Sequence, residues 1–184
     1  MTVQSRALAC LAMLVTTRVM SFEQWRIVEV YSNADGGVQF IELATDSDDQ
    51  QELRGQTLTA SSDGSQITFT FPADTGVPTA GRRLLLATPG FGGVEGSVTQ
   101  DAVLPAVPFF DPAALQISLD FAGQDLLLFS GADIPVDGVF SLDRDLISRI
   151  NSPTNFAGET GRIPEVAVFA SGFESPPVTA VQAP

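Results

Sequence analysis

"IVEVYSNADGGVQFIEL", residues 27–43, places two β-type runs on either side of a turn. Ile27, Val28, Val30 and Tyr31 on one side, and Val38, Phe40, Ile41 and Leu43 on the other, are β-branched, aromatic or aliphatic residues that suit a pleated surface. Between them "SNADGG", residues 32–37, brings the Asp35-Gly36 pair, and glycine takes a positive φ at no steric cost. The stretch predicts strands over 27–32 and 38–45 joined as a hairpin.

Working outward, the same kind of pattern recurs. Leu115, Ile117, Leu119 and Phe121 alternate with Gln116, Ser118 and Asp120, which predicts a strand with one face in the core and one in water. Ile67, Phe69 and Phe71 alternate with Thr68 and Thr70, and Pro72 ends that run because it has no amide to give a ladder. Further strands are expected at 55–60, 82–88, 125–130 and 136–140. No stretch after Arg26 sustains helical spacing, and only "RDLISRI", residues 144–150, has the makings of a short helix. Seven to nine short strands punctuated by Gly, Pro, Asp and Ser predict an all-β chain folded as an immunoglobulin-like β-sandwich.

The N-terminus reads differently. Arg6 precedes an apolar run from Ala7 to Val15 and then "TTRVMS", the order of a secretory signal, so residues 1–21 are expected to be a cleaved signal helix with the cut before Phe22. The apolar run is too short to span a bilayer, and no other segment is long and apolar enough to try. The sandwich is expected over 22–143, a polar extension packed on or near it over 144–174, and a disordered tail over 175–184. "SPPVTAVQAP" at the end holds too few large apolar groups to offset its ordering entropy.

Composition removes whole classes of chemistry. The 184 residues contain no histidine, and the one cysteine, Cys10, lies inside the apolar N-terminal run. Ser-His-Asp and Cys-His catalysis therefore have no base after residue 21, and zinc sites built on Cys and His are excluded with them. The 9 basic residues are all arginine, against 22 acidic ones, for a net charge of −13. Such a surface repels nucleic-acid phosphates and anionic headgroups. Partners are expected among extracellular or envelope proteins and glycans, with the protein secreted, extracellular or periplasmic.

The opening hairpin also resembles a known family. "I-x-E" at Ile27 to Glu29, the turn residue Asn33 and "FIEL" at 40–43 are similar to the start of the lamin-tail domain in its bacterial secreted branch. The later order is similar too: Gly55 to Leu58, "FTFP" at 69–72, a Gly81-led "LLLAT", and a strand pair over 115–130. Thr57 and Leu58 stand where the commoner pattern has a tryptophan. "FASGFE", residues 169–174, is similar to a short ending on exported proteobacterial proteins. The resemblance covers about residues 26–143. It implies an immunoglobulin-like sandwich used as an accessory module, and no catalytic residues belong to the family.

Three groups of side chains are candidates for chemistry. Asp46, Asp48 and Asp49, with Glu52 behind them, crowd one loop, and calcium takes six to eight oxygens from such clusters; the spacing lacks the glycine and distal glutamate of an EF-hand. Glu29 and Glu42 face each other across the hairpin, the raw material of a paired-carboxylate hydrolase, although exposed strand positions beside arginines such as Arg26 are the plainer expectation. Phe109 and Phe110 follow "LPAVP", where an extended backbone turns one ring outward to meet a ligand or partner, although filling the core is the plainer expectation. "GFGG" at 90–93 has no following lysine or helix start and is not a phosphate loop. The expected function is a non-enzymatic binding module; a calcium-dependent carbohydrate-binding module ranks second and a carboxylate-based hydrolase third.

Overall fold

The computed structural model describes residues 24–164. The expected signal segment, the tail and the last part of the extension lie outside them. The opening stretch folds as β1 (Arg26–Ser32) and β2 (Gln39–Thr45), paired antiparallel from Arg26↔Ala44 to Ser32↔Gln39. Gly36 sits at the turn with φ +70, and a Cβ added there would lie 2.6 Å from the Pro108 ring. Both the positive φ and the close approach demand glycine.

Eight more strands follow: β3 (Thr57–Ser62), β4 (Ser65–Thr70), β5 (Arg82–Ala87), β6 (Ala102–Val103), β7 (Ile117–Phe121), β8 (Asp125–Phe129), β9 (Phe140–Asp143) and β10 (Ser148–Ile150). They form a six-stranded sheet ordered β10-β9-β1-β2-β5-β6 and a four-stranded sheet ordered β4-β3-β7-β8. Every pairing is antiparallel except β5 with β6. The two sheets pack through Ile27, Val30, Ile41, Leu43, Leu84 and Leu86 on one side and Leu58, Ala60, Phe69, Ile117, Leu119 and Phe121 on the other. The chain is a two-sheet β-sandwich.

Ten strands among the described residues exceed the expected seven to nine. β6 has only two residues and β10 three exposed ones, so neither leaves a periodic trace in the sequence. The "RDLISRI" stretch is not a helix. It makes the tight turn from β9 into β10, where Asp143 Oδ1 accepts the amides of Asp145 and Ile147. The strand expected at 136–140 starts at Phe140 instead, because Asp137 takes the amides of Val139 and Phe140 and holds the preceding residues in a turn. The alternation at Leu115 is likewise misleading: Leu115 is 87% exposed, and the Asp63 carboxylate captures its amide and that of Gln116 before the ladder begins.

A second apolar layer covers the outer face of the six-stranded sheet. Tyr31, Phe40, Leu85 and Ala87 point away from the main core and are buried by Phe91 and Ile163, with Val38, Val94 and Val98 packed around them. Tyr31 stacks on Phe40 with ring centroids 5.2 Å apart, and Phe91 meets Phe40 edge-on at 5.7 Å. The roof is the 88–98 loop and a strap, residues 151–163, which belongs to the extension expected to pack on or near the sandwich. Asn151 pins the strap's two ends: its side-chain nitrogen donates to Ile163 O (2.9 Å) and its oxygen accepts Ile163 N–H (2.7 Å). Roof and strap touch at Gly96, where a Cβ would meet Arg162 O at 2.0 Å.

An ion pair with a buried carboxylate and a partly exposed guanidinium ties the sheets together. Arg144, just after β9, donates to both oxygens of Asp125 on β8 at 2.7 and 2.5 Å and also to Ile27 O at 2.9 Å. Asp125 in turn accepts Ile27 N–H at 2.8 Å. The sequence pattern "DRD" suggests local pairing of Arg144, but the partner lies 19 residues back on the other sheet.

Candidate functional site

The paired glutamates occupy the roofed outer face. Glu29 and Glu42 stand opposite each other in the register, and a bulge at Val28 turns Glu29 to the same side as Glu42. They are 7% and 0% exposed, which corrects the expectation of exposed positions beside Arg26. Alternation along the strands announces two different faces. It does not announce that the strap covers both.

Each carboxylate is fully engaged. Glu29 Oε1 accepts the Ser141 hydroxyl (2.6 Å) and Ser152 N–H (2.8 Å), and Oε2 accepts the Ser152 hydroxyl (3.1 Å). Glu42 is ion-paired to Arg83 on β5, and its Oε2 accepts Thr154 N–H at 2.6 Å. Burial pushes the Glu42 carboxyl up to about 7 against the pull of Arg83 and with a push from Glu29. A hollow beside Glu29 measures ≈ 200 Å³ and is lined by Glu29, Arg83, Ser141, Arg149 and Ser152 among others, without Glu42. Ligand pockets start at about 300 Å³. A glycosidase pair needs room for a sugar ring and water between its carboxyls. Here the carboxylates bond Ser152 and Thr154 of the strap, Ser141 of β9 and Arg83 of β5, which fastens the strap to the sheet.

A larger hollow opens on the side of the sandwich where β4 is the edge of one sheet and β6 the edge of the other. It measures ≈ 500 Å³, within the range of small-ligand sites. Phe69 and Phe71 form one wall, Leu84, Leu86 and Ala102 the other, and Phe156 of the strap closes one end. Asp74 and Asp101 stand at its rim. Asp101 Oδ2 accepts the amides of Leu85 (2.8 Å) and Phe156 (2.9 Å), and desolvation raises its carboxyl above the ordinary value. Arg82 braces the closing end, with its guanidinium 5.3 Å from the centre of the Phe156 ring and donating to Phe156 O. Sequence reasoning missed this groove because its lining comes from five separate segments; only the β4 alternation marked Phe69 and Phe71 as inward.

The acidic loop does not converge. Asp46, Asp48, Asp49 and Glu52 are all exposed, and among the described residues no group of three or more acidic or thiol side chains is placed to hold a metal ion. The loop is instead organised by hydroxyls. Thr79 donates to Ser47 O (2.7 Å) and accepts Gln50 N–H (3.1 Å), while Ser47 N–H donates to the Thr45 hydroxyl.

Phe109 and Phe110 are each 1% exposed, which agrees with core filling and corrects the reading of one ring as an outward-facing anchor. Their extended backbone is accommodated because Gln39 is buried beneath it. The Gln39 amide oxygen accepts Phe109 N–H (2.7 Å), and its nitrogen donates to Phe110 O (2.7 Å) and the Ser32 hydroxyl (3.1 Å). With the backbone polar groups satisfied by one side chain, both rings enter the core, and Phe110 packs edge-on against Phe129 at 5.9 Å. Trp25 is buried too, with its indole N–H donating to Gln50 O.

These elements define a nearly all-β, two-sheet protein with a side groove and a strapped outer face. No helix among the described residues is long and apolar enough to cross a membrane. No family model matches the chain, and no curated protein matches it.

Proposed function

We propose that this is a non-enzymatic, secreted or surface-associated interaction module with an immunoglobulin-like sandwich of lamin-tail type. Its binding site in this reading is the groove between β4 and β6, which takes apolar side chains of an extracellular or envelope protein. The groove carries the reading: it combines phenylalanine and leucine walls with acidic residues on the rim, the lining expected of a site that seats an apolar group next to a cation. The absence of histidine and the engagement of Glu29 and Glu42 by donors from the strap, β5 and β9 support the non-enzymatic part. The calcium-dependent glycan reading would need convergent oxygens in the 46–52 loop, and the exposed, separate placement of those four side chains does not favour it.

The test is a displayed library of extended peptides screened against the full chain beside a glycan array, with Ala102→Trp to fill the groove and Val103→Glu to place a charge at its mouth. The expected result is enrichment of peptides carrying an apolar residue next to Lys or Arg, lost in both variants while their urea unfolding stays cooperative with an unchanged m-value. Glycan hits without peptide hits, or peptide binding untouched by either variant, would overturn the assignment.

A further inference from the structure

The four edges of the two sheets are not alike. β6 is two residues long, and β10 is three residues long with Arg149 at its centre. β4 is polar along its exposed face, with Gln66, Thr68 and Thr70 outward, and Pro72 follows it. These are ordinary ways of making an edge unattractive to another strand. β8 has none of them. It reads "DLLLF" over 125–129, without lysine, proline or bulge, and Leu126 and Leu128 are 52% and 51% exposed on its outer face.

The register shows which amides β8 leaves free. Ala122 N–H donates to Thr57 O, so in the β3–β7 ladder, which pairs Thr59↔Asp120 and Ser61↔Ser118, those β7 residues bond toward β3. Alternation then turns Ile117, Leu119 and Phe121 toward β8, where they pair with Phe129, Leu127 and Asp125. The N–H and C=O groups of Leu126 and Leu128 therefore point out from the sheet edge, and among the described residues they have no partner.

We propose that β8 pairs antiparallel with β8 of a second copy of this chain, joining the two four-stranded sheets into one of eight strands. A two-fold axis at Leu127 sets Leu126 opposite Leu128 of the other copy, so the four free polar groups on each strand edge are satisfied and each exposed leucine meets another. The same register places Asp125 opposite Phe129 rather than opposite its own copy, and Asp125 is already neutralised by Arg144. No like charges meet along the seam. The opposing force is the net charge of −13 on each molecule, which salt screens.

The experiment is sedimentation of the full chain across concentration and sodium chloride, with Leu126→Lys/Leu128→Lys as the disrupting variant. A monomer–dimer equilibrium that shifts toward dimer as salt rises is expected, weakened at least about tenfold in the Lys variant, with Trp25 fluorescence unchanged. Register is read by cross-linking in a Cys10→Ser background. Leu126→Cys mixed with Leu128→Cys should form an intermolecular disulfide that neither variant forms alone, because only the mixed pair comes within about 7 Å at Cα. Monomer at every concentration and salt, a dimer indifferent to the Lys variant, or Leu126→Cys cross-linking alone as fast as the mixture would each overturn the proposal.

Discussion

Glu42 and Arg83 form an ion pair in which the carboxylate is fully buried and the guanidinium remains partly in water. The pair lies on the outside of the six-stranded sheet, under a strap whose Thr154 amide bonds the same carboxylate. A charge placed there is stabilised by one cation and one amide and opposed by the loss of water and by Glu29 across the strand pair. Desolvation wins, and the carboxyl holds its proton to about 7.

That balance has a sign in the pH dependence of stability. A carboxyl whose folded pKa lies above its unfolded value of 4.5 contributes stability that is complete below 4.5 and is lost as pH rises through about 7. Asp101 acts in the same direction. Asp133, held low by the Ser130 amide and hydroxyl, acts below this window. The thermal midpoint is expected to fall between pH 5 and pH 8, and Glu42→Gln should flatten that slope. A slope that is the same in the Gln variant would show that Glu42 is ionised throughout.

Asp125 and Arg144 are the sharper test of how the sheets are joined. Asp125→Ala leaves the partly buried guanidinium and the Ile27 amide without their acceptor, an expected loss of about 3 kcal/mol in urea unfolding. Arg144→Lys keeps the charge and loses the two-pronged geometry, so a smaller loss of about 1 kcal/mol is expected.

The strap should behave as a cooperative part of the fold. Asn151→Ala removes the bonds to Ile163 O and Ile163 N–H and is expected to cost about 2 kcal/mol. Limited proteolysis should then cut first within residues 152–162. Gly96→Ala should have the same effect by pushing the Arg162 carbonyl away. Cleavage elsewhere before the strap would show that the outer layer is not what these residues secure.

Calcium should leave the protein unchanged. With Asp46, Asp48, Asp49 and Glu52 exposed and unconverged, the melting midpoint is expected to be the same in millimolar calcium and in chelator. A rise with calcium that disappears in Asp46→Asn/Asp48→Asn would restore a cation site in this loop.

Gln39 is the residue on which the inward Phe109-Phe110 pair depends. Gln39→Leu removes the acceptor of Phe109 N–H and the donor to Phe110 O inside the core, for an expected loss of about 3 kcal/mol and a larger exposure of aromatic surface to apolar dyes.

The sequence alone determined the first hairpin, the alternating strands at 67–71 and 117–121, and the exclusion of histidine and cysteine chemistry after residue 21. Those properties are local: a period of two, a turn glycine and a residue count need no knowledge of what lies across the fold. Tertiary structure decided the rest, because alternation says that two faces differ without saying what covers each. The strap over 151–163 buries the face that carries Glu29 and Glu42, Gln39 draws Phe109 and Phe110 inward, and Arg144 finds Asp125 on the opposite sheet. The groove between β4 and β6 exists only once five segments distant in sequence have been brought to one open side of the sandwich. Burial of a polar group depends on partners that chain topology delivers: Ser152, which meets Glu29, stands 123 residues away, and Asp125, which takes the Ile27 amide, 98.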